Sequence, residues 1–362
     1  MHPEMLQVVD TAGNFDRDLE PDLPSSELTK LHRIMVLTRT FDRRMIALQR
    51  QGRISFYAPC IGEEAAHIGS AYALSPRDWI FPQYREPGAL LVRGMPLQQL
   101  ISSLLANQED LGKGRSFANA WGDRRLNIVH SSAPVGTQIP LAVGAAMAAK
   151  IRGDDMVSLA YFGDGATSSG YFHAGMNFAA VFKAPTIFFC KNNQYAISLP
   201  ARRQFASKNI AVKAEGYGMR GILVDGNDLL ATYRVTRETV EAARRGEGPT
   251  LIEASTYRIE GHSTSDDPTK YREEKEVEAW KERDPITRFR LYLEKKGLWN
   301  GDQEKEVWAE AEAQTTEAIR HAELIPPPSI QSMFEDVYAD IPKTLREQLE
   351  EALGAPQGRK GE

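Results

Sequence analysis

Two short apolar runs separated by a helical segment constrain the fold of this chain more than any other feature. Residues 156–162 and 185–190 are nearly continuous apolar runs rich in β-branched and aromatic residues, which is typical of strands buried on both faces. Between them, apolar residues recur at mostly helical spacing from Gly170 to Phe182. The order strand, helix, strand predicts one βαβ crossover in a parallel sheet.

Glycine and polar residues follow both predicted strands. Gly163-Asp164-Gly165 comes after the first strand, and Asn192-Asn193 ends the second. Ligands collect at the carboxyl ends of parallel strands, and carboxylate and amide oxygens suit Mg²⁺. The glycines allow a sharp turn and close backbone approach to a phosphate. A Gly-Asp-Gly triplet alone is usually only a turn, but the asparagine pair makes a metal and diphosphate site the favoured interpretation.

Composition narrows the class of protein. The chain has 362 residues, 42% of them hydrophobic, and can bury a full core. A net charge of -5 argues against a nucleic-acid or anionic-membrane surface, and no apolar stretch reaches the roughly 18 residues of a membrane span. The N-terminus shows no export or organelle signal, and Cys60 and Cys190 are expected as core thiols. We therefore expect a cytoplasmic globular protein.

Further strands and helices extend the alternation. Residues 221–226 and 249–257 are predicted as strands, and Ser25-Ser26 can cap a first helix. Helices are predicted at residues 26–51, 62–75, 96–108, 137–151, 228–245, 275–296 and 302–322. This pattern is typical of the α/β class, with a doubly wound parallel sheet flanked by helices and helical extensions at both ends.

Several motifs carry a family resemblance. The span from Gly163 to Asn193 resembles the thiamine-diphosphate motif. Other strings resemble the alpha subunit of the decarboxylating component of 2-oxo acid dehydrogenase complexes: residues 53–57, 83–86, 137–140, 191–198 and 261–267. The resemblance covers roughly residues 27–345 and is strongest to the branched-chain members, which look similar at residues 334–338.

This resemblance implies a domain organisation. Residues 1–25 form an N-terminal arm, and residues 26–345 form a single thiamine-diphosphate-binding α/β domain of the diphosphate type. Its C-terminal helical part begins at about residue 266, and residues 346–362 form a tail.

The resemblance also implies a magnesium site and a diphosphate site. Asp164 and Asn193 would be side-chain ligands of Mg²⁺, and Tyr195 would contribute its backbone carbonyl. The amides of Gly165 and Ala166 would reach the diphosphate of thiamine diphosphate.

Further residues match positions that contact the same cofactor. Tyr84, Arg85 and Lys191 would hold the diphosphate as a hydroxyl donor, a forked cation and a point cation. An ordinary helix-edge pair is the alternative for the first two. Ala133 and Val135 match cofactor contacts made through backbone and apolar side chain, and some branched-chain relatives have a serine at the first of these.

A monovalent cation site is implied next to these residues. Ser132, Pro134, Thr137 and Gln138 match a K⁺ site in the branched-chain relatives. Helix capping is the commoner use of serine and threonine at a helix start, so this interpretation rests on the resemblance alone.

His262 is the catalytic candidate. It stands in a polar loop just past a predicted strand and matches the family's active-site histidine, close to the diphosphate and the reacting carbon. Phe56 and Tyr84 resemble positions near the substrate side chain, with core packing as the alternative for Phe56. Ser263 matches a regulatory phosphoserine of mitochondrial relatives, with a loop that bonds its own backbone as the alternative.

The resemblance implies an incomplete catalytic unit. The glutamate that activates the cofactor belongs to a separate pyrimidine-binding module, and this chain has room for one such sheet. We therefore expect a beta subunit, an α2β2 heterotetramer and a lipoyl-bearing acyltransferase core. The implied reaction is oxidative decarboxylation of a branched-chain 2-oxo acid with acyl transfer to the lipoyl group.

Other functions stay open. Pyruvate or acetoin could replace the branched-chain substrate on the same fold. A non-catalytic metabolite-binding subunit is an alternative from another class, but it leaves the asparagine pair and His262 unexplained. A dinucleotide-binding dehydrogenase is disfavoured, since no Gly-x-Gly-x-x-Gly opens a helix in the required strand context.

Overall fold

A parallel sheet forms the centre of the structure, a computed structural model that describes residues 5–354. Among these residues the strands are β1 (Trp79–Phe81), β2 (Ser158–Gly163), β3 (Thr186–Asn192), β4 (Tyr195–Ala196), β5 (Leu199–Pro200), β6 (Arg220–Asp225) and β7 (Thr250–Ser255). β1, β2, β3, β7 and β6 lie side by side in that order and are parallel, whereas β4 and β5 form a small antiparallel hairpin. The predicted parallel α/β sheet is confirmed.

Helices surround this sheet. In the described part of the chain they are α1 (Ser25–Arg50), α2 (Glu64–Tyr72), α3 (Pro87–Val92), α4 (Leu97–Leu105), α5 (Gln138–Arg152), α6 (Gly170–Phe182), α7 (Ala201–Gln204), α8 (Leu229–Arg244), α9 (Glu274–Lys281), α10 (Pro285–Lys295), α11 (Gly301–Leu324) and α12 (Lys343–Gly354). α5 and α6 pack against each other, and α8 packs against α2 and the sheet.

The predicted βαβ unit is β2, α6 and β3. All seven residues of β3 and five of the six in β2 are buried, as their apolar sequences require. Ser169 caps α6 by accepting a hydrogen bond from the Phe172 amide. In the sheet Gly163 lies opposite Lys191, so both strands end at the same edge and the residues that follow them meet there.

β7 decides which other segment reaches that edge. Although it is the last strand in the sequence, β7 lies between β3 and β6, with Ser255 opposite both Asn192 and Asp225. The chain that leaves β7 therefore passes directly beside the end of β3. This placement carries residues 256–262 to the candidate site.

Two predicted helix features are wrong. Residues 275–296 form two helices rather than one, because Asp284 accepts a hydrogen bond from the Thr287 amide at 2.9 Å and Pro285 occupies the first position of α10. The first helix begins at Ser25 with Pro24 before it, and no serine side chain caps it.

The described part of the N-terminal arm lies along the sheet. Leu6 exchanges backbone hydrogen bonds with Leu223 and Asp225 of β6 at 2.9 and 3.0 Å. The Val8 and Val9 amides donate to the buried Asp228 carboxylate at 2.6 and 2.7 Å. The arm therefore adds to the main core, whereas residues 1–4 lie outside the described residues.

The C-terminal part is helical, and α12 runs across the predicted start of the tail at residue 346. Residues 355–362 of that tail lie outside the described residues. In the described part of the chain no helix is long and apolar enough to cross a membrane. The predicted division into arm, domain and tail stays a prediction.

Candidate cofactor site

The carboxyl edge of the sheet carries a cavity of about 250 Å³. The turn after β2, the residues after β3 and the segment after β7 all contribute to its wall. Ten of the residues singled out in the sequence line it: Tyr84, Arg85, Val135, Asp164, Gly165, Ala166, Lys191, Asn193, Tyr195 and His262. The fold therefore brings segments that are distant in sequence to one site.

Asp164 is a buried carboxylate with a free oxygen. Its backbone carbonyl accepts hydrogen bonds from Thr167 Oγ1 and Gln204 Nε2, each at 2.8 Å. Its side-chain Oδ2 has no hydrogen-bond partner among residues 5–354. Burial raises the pKa of Asp164 to about 7, while Arg258 opposes the rise and Glu63 adds to it. A buried carboxylate oxygen in this state is suited to bind a cation.

Asn193 presents its amide with a fixed orientation. Its Nδ2 donates to Glu63 Oε1 at 2.9 Å, and its Oδ1 accepts a long hydrogen bond from the Tyr195 amide at 3.4 Å. No cluster of three or more His, Cys, Asp or Glu side chains that could hold a metal occurs within residues 5–354. The predicted ligands are instead one carboxylate, one amide and one backbone carbonyl.

The two glycines around Asp164 differ in their roles from the sequence expectation. Neither Gly163 nor Gly165 has a positive φ, so neither makes the turn by left-handed backbone. A Cβ on Gly165 would lie 3.0 Å from Ala196 Cβ, whereas one on Gly163 would meet only ordinary contacts. Gly165 therefore allows the β4–β5 hairpin to approach the turn after β2.

Arg258 also lines the cavity and is only 1% exposed. Its guanidinium donates to the Tyr195 carbonyl at 3.2 Å, the Ile197 carbonyl at 2.7 Å and the Tyr271 hydroxyl at 2.9 Å. Burial lowers the pKa of Arg258, and the neighbouring Arg85 adds to that effect. The Tyr195 carbonyl, predicted as a metal ligand, thus already shares its lone pairs with a cation.

Arg85 fixes the protonation of His262. Arg85 Nη2 donates to His262 Nδ1 at 2.9 Å and also to the His262 carbonyl, and Nη1 donates to the Pro59 carbonyl at 2.5 Å. Burial lowers the pKa of His262 to about 3, with Arg85 and Arg258 contributing. Because arginine can only donate, Nδ1 must accept, and the neutral ring carries its proton on Nε2. His262 is therefore a neutral hydrogen-bond donor.

Lys191 is fully engaged with protein groups. Its Nζ lies 2.6 Å from Glu86 Oε1 and 3.1 Å from Glu63 Oε2, and it donates to the Arg85 carbonyl at 3.1 Å. Burial alone would lower the pKa of Lys191, but the two carboxylates raise it above its ordinary value. Although it lines the cavity, its positive charge is compensated within the protein, unlike the point cation expected from the sequence.

A second cavity of about 210 Å³ adjoins the first and shares Gln83, Tyr84, Val135 and His262 with it. Of the remaining predicted residues, Phe56, Ala133 and Ser132 line it, together with Phe117, whereas Pro134, Thr137 and Gln138 line neither cavity. The rings of Phe56 and Phe117 lie 4.9 Å apart and form an aromatic wall. Apolar surface therefore adjoins the polar site at Tyr84 and His262.

The residues of the predicted monovalent cation site lie just before α5, except Gln138, which is its first residue. Thr137 Oγ1 donates to the Pro134 carbonyl at 3.0 Å and forms no side-chain cap. Gln138 Nε2 donates to the Tyr161 carbonyl at 2.7 Å. Ser132 lines the second cavity. In the loop that contains His262, Ser263 Oγ accepts a hydrogen bond from the Ser265 amide at 3.3 Å.

Sequence reasoning missed several residues of the site. Arg258 follows β7 as Asn193 follows β3, so the strand-end rule could have found it. Gln83 belongs to a motif that carried the resemblance. No sequence feature indicated that Glu63 and Phe117 belong to the site, because both lie in loops whose position depends on the tertiary fold.

Comparison with known proteins agrees with this geometry. The model of the family described as "Dehydrogenase E1 component" matches residues 32–331. The chain belongs to this family. It is 45% identical over 348 residues to the Homo sapiens "2-oxoisovalerate dehydrogenase subunit alpha, mitochondrial", covering 96% of this chain and 78% of that protein. It is 44% identical over 356 residues to the Mycobacterium tuberculosis "3-methyl-2-oxobutanoate dehydrogenase subunit alpha", covering 97% and 93%.

The family and fold class predicted from the motifs are therefore confirmed. Membership implies thiamine diphosphate as the cofactor and a multienzyme complex with a partner beta subunit and an acyltransferase core. The site fits such a cofactor, because it combines an unpartnered buried carboxylate oxygen on Asp164 with the cationic Arg85 and the neutral donor His262.

Proposed function

We propose that this chain is the alpha subunit of a branched-chain 2-oxo acid dehydrogenase, 3-methyl-2-oxobutanoate dehydrogenase (2-methylpropanoyl-transferring). It decarboxylates the 2-oxo acid oxidatively and passes the acyl group to a lipoyl group of the acyltransferase core. The observation that carries this proposal is the junction of the two cavities, where a metal-type donor set meets an aromatic-walled apolar space. The names of the 44–45% identical relatives support it.

In this proposal Asp164, Asn193 and the Tyr195 carbonyl would hold Mg²⁺. The unpartnered Asp164 Oδ2 and the fixed Asn193 amide support the first two ligands. The Tyr195 carbonyl has two lone pairs, so its hydrogen bond from Arg258 leaves one for the metal.

The turn after β2 would hold the diphosphate. The amides of Gly165 and Ala166 would donate to it, as would the Tyr84 hydroxyl and the Arg85 guanidinium, which line the same cavity. Ala133 and Val135 would contact the cofactor through backbone and apolar side chain, and Lys191 supports the arrangement by donating to the Arg85 carbonyl. When bound, thiamine diphosphate supplies the electron sink that permits loss of CO₂ from a 2-oxo acid.

His262 is the catalytic residue of the proposal. Its Nε2 proton is available because Arg85 occupies Nδ1. A neutral donor can hydrogen-bond to the anionic diphosphate or to the substrate carboxylate without adding a buried charge. His262 lines both cavities, which supports a position between the cofactor and the substrate side chain.

The branched side chain of the substrate occupies the second cavity. Phe56 and Phe117 provide its apolar wall, and Tyr84 closes it toward the cofactor. Burying a branched alkyl group against this wall stabilises the complex by about 0.8 kcal/mol for each methylene that leaves water. A bare methyl group, as in pyruvate, gains less.

The partner beta subunit completes the site, and we infer an α2β2 heterotetramer. An exposed apolar surface, here called the α5–α6 face, supports this: it consists of Leu141, Ile151, Tyr171, Phe178, Val181 and Phe182. Exposed apolar residues grouped on two packed helices are typical of an interaction site.

Two further proposals concern a cation and the location. We propose that K⁺ binds at Ser132, Pro134, Thr137 and Gln138. We also propose a cytoplasmic location, which the two free buried cysteines support.

The direct test compares the chain with and without its beta subunit. With thiamine diphosphate, Mg²⁺ and 2-oxoisovalerate, we expect negligible decarboxylation by the chain alone and full turnover by the assembled enzyme. A substrate panel should give a higher kcat/KM for 2-oxoisovalerate than for pyruvate, and no turnover of acetoin. Full turnover without a partner would refute the shared site, and a preference for pyruvate would refute the substrate assignment.

A further inference from the structure

Glu63 is a wholly buried carboxylate in the cavity wall that is not among the proposed metal or cofactor contacts. It precedes α2, its exposed fraction is 0%, and it lines the same cavity as Asp164. Its two oxygens have different partners. Oε1 accepts from Asn193 Nδ2 at 2.9 Å, and Oε2 lies 3.1 Å from Lys191 Nζ.

The hydrogen bond to Asn193 has a directional consequence. The Asn193 side chain has a donor end and an acceptor end that are nearly equal in shape, so only its partners decide which end faces the cavity. An ionised carboxylate can only accept. Donation to Glu63 therefore fixes Nδ2 on the Glu63 side, and Oδ1, which accepts the long hydrogen bond from the Tyr195 amide, keeps a second lone pair for a cation.

Lys191 makes this arrangement possible. A buried carboxylate is costly unless it is paired and hydrogen-bonded. The Lys191 ammonium compensates both Glu63 and Glu86, and the Arg85 carbonyl takes a further hydrogen bond. Lys191 thus pairs with Glu63 and at the same time donates to the backbone of Arg85.

We propose that Glu63 is a positioning residue for the metal site, acting through Asn193, with Lys191 as its charge partner. This inference rests on the proposed function, since it assumes that Asn193 Oδ1 binds Mg²⁺. It assigns Glu63 no direct contact with metal or substrate. It also explains why Lys191 is buried between two carboxylates rather than free in the cavity.

The test is the affinity of the assembled enzyme for Mg²⁺ in the presence of thiamine diphosphate, measured by calorimetry. Glu63→Gln replaces the obligate acceptor with an amide that can also donate, so the Asn193 side-chain amide can rotate and exchange the positions of Oδ1 and Nδ2. We expect the Kd for Mg²⁺ to rise about 10- to 100-fold, the usual effect of removing an outer partner of a metal ligand. The melting temperature of the Glu63→Gln enzyme without metal should stay close to that of the unmodified enzyme.

Glu64→Gln is the matched control. Glu64 is the next residue, equally buried, and its carboxylate pairs with Arg39 rather than with the site. Its Kd for Mg²⁺ should equal that of the unmodified enzyme. Equal weakening in both variants would overturn the proposal, because it would indicate a general effect of neutralising a buried acid.

A double-mutant cycle tests the route through Asn193. Asn193→Ala alone should weaken Mg²⁺ binding, and adding Glu63→Gln to it should weaken binding no further. An undiminished effect of Glu63→Gln in that background would refute the positioning role. If Glu63→Gln fails to assemble, Glu63→Asp replaces it in the same cycle, with a smaller expected rise in Kd.

These outcomes separate two kinds of failure. If the unmodified assembled enzyme binds neither Mg²⁺ nor thiamine diphosphate, the proposed function is wrong. If it binds both and Glu63→Gln binds Mg²⁺ with the same Kd, only the inference about Glu63 is wrong.

Discussion

At the scale of single residues, the site is a set of buried charges that are compensated by particular neighbours. Arg85 and Arg258 face His262, and burial together with these cations holds its pKa at about 3. The pKa of the Asp164 carboxyl is shifted in the opposite direction, because burial raises it. Both shifts disfavour the charged form of the side chain, which is the expected result of burial before a charged ligand enters.

The lowered pKa of His262 predicts a dependence of stability on pH. Below pH 6.5 the unfolded chain binds a proton at this histidine that the folded chain does not bind until about pH 3. The folded state therefore loses stability as the pH falls through this window. His262→Asn should reduce that loss, measured by urea unfolding at pH 7.5 and pH 5 in the absence of cofactor.

The exposed His321 provides the control, since His321→Asn leaves the buried ring in place. An equal acid sensitivity in His262→Asn and the unmodified protein would show that the buried ring does not contribute.

At the scale of elements, the β4–β5 hairpin carries strain next to the site. Ile197, in its turn, has a φ of +57°, a left-handed conformation that β-branched residues rarely adopt. Its side chain is 57% exposed and lines the cofactor cavity, and its carbonyl accepts from Arg258. The hairpin is thus held in place by hydrogen bonding and by its approach to Gly165, against a local backbone preference.

Ile197→Asn should relieve this strain, because asparagine tolerates the left-handed region. We expect unfolding without cofactor to cost about 1 kcal/mol more than in the unmodified protein, and thiamine diphosphate to bind more weakly through loss of apolar contact. Urea unfolding and calorimetry measure the two effects. Leu199→Asn, on a residue of the same hairpin without a positive φ, should give no gain in stability; a similar gain there would exclude backbone strain as the cause.

At the scale of the whole molecule, the α5–α6 face is apolar without being covered by the described chain. Phe178 and Val181 are 53% and 68% exposed on α6, although the opposite side of that helix packs into the core. The helix is therefore apolar on both sides, which is typical of an element between two packed layers. The second layer is the one that the beta subunit would supply.

Val181→Glu should prevent assembly while leaving the isolated chain folded. Burying an unpaired carboxylate in an apolar interface costs several kcal/mol, so we expect loss of the heteromer in analytical ultracentrifugation with an unchanged circular dichroism spectrum. Leu324→Glu, a 73% exposed apolar residue on α11 outside the face, is the control. Normal assembly of Val181→Glu would place the interface elsewhere.

The sequence alone determined the βαβ unit, because unbroken apolar strands and helical periodicity are local properties of residues 156–190. It also determined which side chains end each strand, and the motifs identified the family. The break between α9 and α10 was missed, since the signal of Asp284 and Pro285 was weaker than the continuing helical pattern.

Only the tertiary structure decided how these residues act. β7 is inserted beside β3, so Arg258 reaches the Tyr195 carbonyl, and Glu63 reaches Asn193 from a position 130 residues away in the chain. Such contacts have no local signature, because they depend on strand order and on where loops pack. Residue types therefore determined the chemistry available, whereas burial and partners decided which ends of Asn193 and His262 are occupied by protein groups.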